Sequence, residues 1–180
     1  MKNKKILVGV SGGIAVYKAC SLVSYLAREN EVKVIMTDAA TEFVTPLTFQ
    51  VLSKRGVIQD MFHDTEPDKV PHIYYPQEWS DLFVVAPATA DIIGKAASGI
   101  ADDMLSSCII ASDKPILFVP SMNTVMYENR VVQENIEKLC GLGHKFVSPG
   151  EGMLACGVYG KGSFPQIPDI VNEMEKMSGV

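Results

Sequence analysis

Four short runs of β-branched and aliphatic residues each end at a chain breaker, and this alternation constrains the fold more than any other feature. Residues 6–10 (ILVGV) stop at Ser11-Gly12-Gly13, residues 32–36 (VKVIM) at Thr37-Asp38, residues 82–85 (LFVV) at Ala86-Pro87 and residues 116–119 (ILFV) at Pro120. A shorter run at 145–147 makes a fifth. Apolar runs this short, bounded by breakers, read as strands buried on both faces. Between them the apolar period changes. Ala15, Ala19, Leu22, Val23 and Leu26 recur at helical spacing, and Val132, Ile136 and Leu139 do so later. Further helices are expected at 46–53, with Pro46 in the first turn, at 90–97 and 102–111, split by Gly99, and at 167–177. Residues 57–80 hold three prolines and read as an irregular excursion. Strands alternating with helices build βαβ units. The expected fold is α/β: one Rossmann-like, flavodoxin-like, doubly wound parallel sheet in a single domain over residues 1–180.

Composition excludes several classes of function. A formal net charge of −5 with no basic stripe argues against nucleic-acid binding. The apolar stretch after the basic start spans only residues 6–10, too short for a signal peptide, and no run is long enough to cross a bilayer. Cys20, Cys108, Cys140 and Cys156 form no CxxC pair, which fits free thiols in a reducing cytoplasm. No cluster of His, Cys, Asp and Glu has metal-ligand spacing.

In a sheet of this kind ligands bind beyond the carboxyl ends of the strands. The residues just after each strand are therefore the candidates: Ser11, Gly12, Gly13, Ile14 and Ala15; Thr37; Pro87, Ala88, Thr89 and Asp91; Met122 and Asn123. The glycine-rich first segment lets backbone amides at a helix N-terminus approach a phosphate, although a tight strand–helix turn needs the same residues. It is neither GxGxxG nor a Walker A motif, so no dinucleotide or nucleoside triphosphate is specifically indicated. Thr37 can add a hydroxyl to the same anion or cap the next helix, and Asn123 is equally suited to a cap. His72, in VPHI, reads as a structural or an active-site histidine. Cys156 stands in GMLACGVYGKG, among glycines and with no apolar period to bury it.

These segments together resemble the homo-oligomeric flavin-containing cysteine decarboxylases. The likeness runs over about residues 4–177, through GVSGGIAVYK, the His72-Ile73 pair, WSDLFVVAPATADIIGKAASGIADDML, PSMNTVMYEN and LACGVYGKG. It implies FMN, with the phosphate on Ser11 to Ala15 and Thr37, and the ring near Pro87, Ala88, Thr89, Asp91 and Met122. It implies that Asn123 holds a substrate carboxylate, that His72 is the active-site histidine, and that Cys156 lies on a flap over the substrate. It further implies trimers or dodecamers with the active site between subunits. Members that act in coenzyme A biosynthesis take a small substrate, 4′-phosphopantothenoylcysteine, and a flap cysteine like Cys156 returns a proton to carbon. Other members act on peptidyl cysteines and release the oxidised enethiol, and some relatives are non-catalytic regulatory subunits, usually with long acidic tails. The chain stops at EMEKMSGV after one domain. A synthetase domain that many bacterial members carry is thus expected on another polypeptide or on a removed portion of a longer chain. Departures from the family pattern are Asp91 in place of an amide, Ser121 before Met122, Tyr127 in place of tryptophan, and SFPQI after the last glycine.

Overall fold

Strand β1 (Lys5–Val10) is the pivot about which the chain reverses its direction of winding. It leads through α1 (Val16–Leu26) to β2 (Glu31–Met36), which pairs on one side of β1. After α2 (Asp38–Thr41), α3 (Pro46–Ser53), α4 (Pro71–Ile73) and a π-helix (Tyr74–Trp79), β3 (Leu82–Ala88) pairs on the other side. Then follow α5 (Ala90–Ser98), α6 (Met104–Ala111), β4 (Ile116–Pro120), α7 (Thr124–Tyr127), α8 (Arg130–Gly141) and β5 (Lys145–Phe146). The five strands are all parallel, in the order β2-β1-β3-β4-β5. A separate antiparallel hairpin, β6 (Gly150–Met153) and β7 (Tyr159–Ser163), precedes the last helix, α9 (Ile167–Ser178). This computed structural model describes residues 1–62, 69–153, 157 and 159–179.

Because strand side chains alternate, each central strand feeds two cores. Ile6, Val8 and Val10 of β1 join Val84, Ala86, Leu117 and Val119 on one face, under α1, α3 and α9. Leu7, Phe83, Val85, Ile116 and Phe118 point to the other, under α5, α6 and α8. Burial of each such aliphatic or aromatic side chain contributes about 1.5–3 kcal/mol. The helix ends follow local chemistry. Pro46 occupies the first turn of α3, and α5 stops at Gly99 in the left-handed region, φ 72°. At the start of α6 the Asp103 carboxylate accepts from the Ser106 amide while Ser106 Oγ accepts from the Asp103 amide, a complete capping box.

Two expectations need correction. The third strand does not close at Ala86-Pro87 but continues to Ala88, with a register shift against β4 between Val85 and Ala88. The excursion at 57–80 is partly regular, because α4 runs directly into the π-helix. There the Lys114 ammonium donates to the carbonyls of Gln77 and Ser80, each at 2.7 Å, and satisfies groups that the helix end leaves open. Residues 150–153 and 159–163, where no apolar period is present, are paired strands.

Candidate active site

A cleft of about 960 Å³ opens at the carboxyl ends of β1 to β4, over the point where β1 and β3 part to opposite sides. Its volume suits a cofactor or a drug-sized ligand. The loop after β1 contributes Gly12, Gly13, Ile14 and Ala15, and the loop after β2 contributes Thr37, Asp38 and Ala39. Gly12 is required by contact. A Cβ there would lie 2.4 Å from the Ala39 Cβ and 2.7 Å from its carbonyl carbon. The glycine therefore lets two loops close on each other at the start of α1, where amide N–H groups and the helix dipole favour an anion.

Ser11 is buried and faces away from this cleft. Its hydroxyl donates to the Pro87 carbonyl at 2.8 Å, lies 3.1 Å from Thr89 Oγ1, and accepts from the Thr89 amide at 3.1 Å. Ser11 thus ties the first loop to the third. Pro87 and Ala88 are likewise behind the wall, whereas Thr89, Ala90 and Asp91 line it. Thr89 also caps α5, accepting from the Ile92 amide.

The loop after β4 contributes Ser121, Met122 and Asn123. Asn123 caps α7 through Oδ1, which accepts from the Val125 amide at 2.8 Å. The hairpin completes the lip. The Met122 amide donates to the Gly162 carbonyl at 3.0 Å, and Met153, Gly162, Ser163 and Phe164 reach the cleft. Gly162 has φ 137°, and a Cβ there would meet the Met122 carbonyl oxygen at 2.2 Å.

Of the residues expected at a site, Gly12, Gly13, Ile14, Ala15, Thr37, Thr89, Asp91, Met122 and Asn123 line this one cleft. His72 does not. It lies on α4, half-buried against the α6 side, and its Nδ1 is buried with no hydrogen-bond partner among the described residues. Cys156 lies outside the described residues. Sequence reasoning missed Lys18, Lys95, Asp102 and Asp103, which also line the cleft. Lys95 has the i,i+4 spacing from Asp91 that signals a helical ion pair, and the two lie 3.5 Å apart. A hydrogen bond from Lys95 holds the Asp102 carboxyl below its usual range.

The residues present fit a flavin mononucleotide. The Gly12–Ala15 amides suit the phosphate, and exposed Ile14, Met126 and Met153 suit an apolar ring system. Among the described residues no group of three or more His, Cys, Asp and Glu side chains could hold a metal ion, and no helix is long and apolar enough to cross a membrane.

Comparison with known proteins gives the same direction. The chain is 48% identical over 177 residues to the coenzyme A biosynthesis bifunctional protein CoaBC of Bacillus subtilis, covering 98% of this chain and 43% of that protein. It is 40% identical to a probable phosphopantothenoylcysteine decarboxylase of Streptococcus mutans, covering 97% and 98%. The chain thus spans about two fifths of the length of the CoaBC relatives it matches. Among solved structures, a cysteine-to-serine variant of a PPC decarboxylase complexed with pantothenoylaminoethenethiol superposes with a TM-score of 0.89 at 27% identity, covering 99% of this chain and 100% of that one. MrsD from a Bacillus species superposes with a TM-score of 0.85 at 26% identity, covering 98% and 97%. A family model described as Flavoprotein matches residues 1–179, and the chain belongs to that family.

Proposed function

We propose that the chain is an FMN-dependent decarboxylase, within one domain of residues 1–180, that converts 4′-phosphopantothenoylcysteine to 4′-phosphopantetheine. The observation that carries this reading is the convergence of the Gly12–Ala15 cradle and Asn123 on one cleft. A near full-length relative named for this activity supports the choice of substrate. The free thiols of Cys20, Cys108 and Cys140 fit a reducing cytoplasm.

The amides of Gly12 to Ala15, with Thr37, hold the FMN phosphate, and Thr89, Asp91 and Met122 border the ring. Ser11, Pro87 and Ala88 act from behind by fixing the loops. Bound FMN supplies a two-electron acceptor, and later donor, for the CH2–SH carbon of the substrate. A cysteine carboxylate has no electron sink of its own. Once the substrate is a thioaldehyde, its carboxylate stands next to one, and loss of carbon dioxide leaves an enethiolate. Asn123 orients that carboxylate through Nδ2 without a full charge that would over-stabilise the ground state. Cys156 returns a proton to carbon as the enethiol is reduced, so the reaction has no net redox change.

His72 completes the site from a neighbouring copy, in a homotrimer or a dodecamer built from trimers. Its position off the cleft supports that reading, as do exposed Val70 and Ile73 beside it. Facing the substrate, the imidazole positions the carboxylate or thiol and manages its proton.

The test is decarboxylation of phosphopantothenoylcysteine, read by carbon dioxide release and product mass. The wild-type protein is expected to give phosphopantetheine. Cys156→Ser is expected to release carbon dioxide but stop at a product two hydrogens lighter. A protein that cannot be loaded with FMN overturns the reading. Wild-type release of the lighter product would instead identify chemistry of the peptidyl-cysteine type.

A further inference from the structure

Among the described residues, four carboxylates line the cleft, those of Asp38, Asp91, Asp102 and Asp103, against two ammonium groups, Lys18 and Lys95. Three of the four meet at Lys95. Its Nζ lies 3.1 Å from Asp102, 3.5 Å from Asp91 and 3.7 Å from Asp103. Two of the carboxylates are also tied to Ser106. Asp103 accepts from the Ser106 amide at 2.7 Å to start α6, Asp102 accepts from Ser106 Oγ at 3.2 Å, and Asp91 sits in the first turn of α5. Asp103 cannot swing away without loosening the start of α6. The Lys95 side chain is 21% exposed, whereas those of Asp91 and Asp102 are 69% and 55% exposed, so solvent and salt reach the carboxylate side of the cluster. Burial disfavours its charged form, but the hydrogen bond to Asp102 and the three carboxylate charges outweigh burial and keep it protonated.

We infer that Lys95 is a positioning residue for the anionic cofactor: its single cation offsets part of the negative charge of the α5–α6 wall and so lowers the repulsion that a flavin phosphate ester meets in the cleft. This rests on the FMN reading above. Without the Lys95 cation, the three carboxylates lose their shared counter-charge and repel an anionic ligand more strongly. The ion pairs also join α5 to α6, so the same side chain shapes the wall whose charge it offsets.

The test is FMN binding by the purified protein, measured by equilibrium dialysis and by flavin fluorescence. Lys95→Gln is expected to weaken FMN binding about tenfold or more. Adding Asp102→Asn to that variant is expected to restore binding to within about threefold of wild type, and 1 M salt is expected to shrink the defect. A lysine that served only to pack the helices would show neither rescue nor salt dependence. Asp102→Asn alone keeps the test open if Lys95→Gln does not fold, and it is expected to bind FMN at least as tightly as wild type. Wild-type affinity in Lys95→Gln, failure of Asp102→Asn to rescue, or weakened binding in Asp102→Asn alone overturns the role of Lys95. Failure of the wild-type protein to bind FMN overturns the cofactor reading beneath it as well.

Discussion

Asn123 and Thr37 show why single residues of this chain carry two readings at once. Each caps a short helix, as a sequence scan expects, and each also lines the cleft. The cap commits the side-chain oxygen to a backbone amide and fixes the rotamer. His144 resolves to one reading. Its Nδ1 accepts from the Ile116 amide at 3.1 Å and its ring meets Phe118 edge-on at 5.8 Å, so it serves the fold as a neutral base. Burial pushes its pKa below the usual 6.5. An unfolded chain takes up this proton near pH 6.5, before the folded one does. The stability that neutral His144 contributes is therefore complete above pH 6.5 and lost as pH falls below it. Thermal melts between about pH 7.5 and 5.5 are expected to fall more steeply for wild type than for His144→Asn, which keeps an acceptor but does not titrate. Equal slopes would remove His144 from the pH response.

At the scale of elements, the strands were readable and the hairpin was not. Each strand of the sheet is a dense apolar run, whereas β6 and β7 are GEGM and YGKGS, with almost no apolar alternation. Their pairing is decided by what they lie on. Gly160 and Gly162 face Thr124 and Met122, and the Met122 amide bonds the Gly162 carbonyl. In the hairpin, Gly160 and Gly162 let a backbone lie against the loop that carries Asn123. Gly162→Ala adds a side chain at φ 137° and 2.2 Å from a carbonyl oxygen, so one of the two segments must move. It is expected to lower stability by about 2 kcal/mol or more and to shift the Met122 and Asn123 amide resonances. Wild-type melting and unchanged spectra would show that the contact is dispensable. The π-helix was equally hidden, because its carbonyls are held by Lys114, far along the chain.

For the whole molecule, the reversal of winding at β1 is what gathers loops from four strands into one cleft. Within a single chain that cleft lacks His72. If the site is shared between copies, each copy supplies Asn123 to one site and His72 to another. Two inactive variants, His72→Asn and Asn123→Asp, co-expressed and purified as mixed oligomers, are then expected to recover about a quarter of wild-type activity by random assortment. Mixed oligomers that stay inactive would place both residues in sites within one chain. Size measurement of the wild-type protein supplies the oligomeric state against which the mixture is read.

By itself, the sequence determined the parallel α/β layers, the strand positions and the segments that carry the cleft, because buried strands need unbroken apolar runs and turns need breakers. Only the tertiary structure decided which members of those segments face the cleft. Ser11, Pro87 and Ala88 turned out to be behind the wall, and Lys95, Asp102 and Asp103 in it. The physical reason is that facing is set by contacts between segments far apart in the chain, such as Ser11 with Thr89 and Gly162 with Met122. Local periodicity has no means of encoding such contacts.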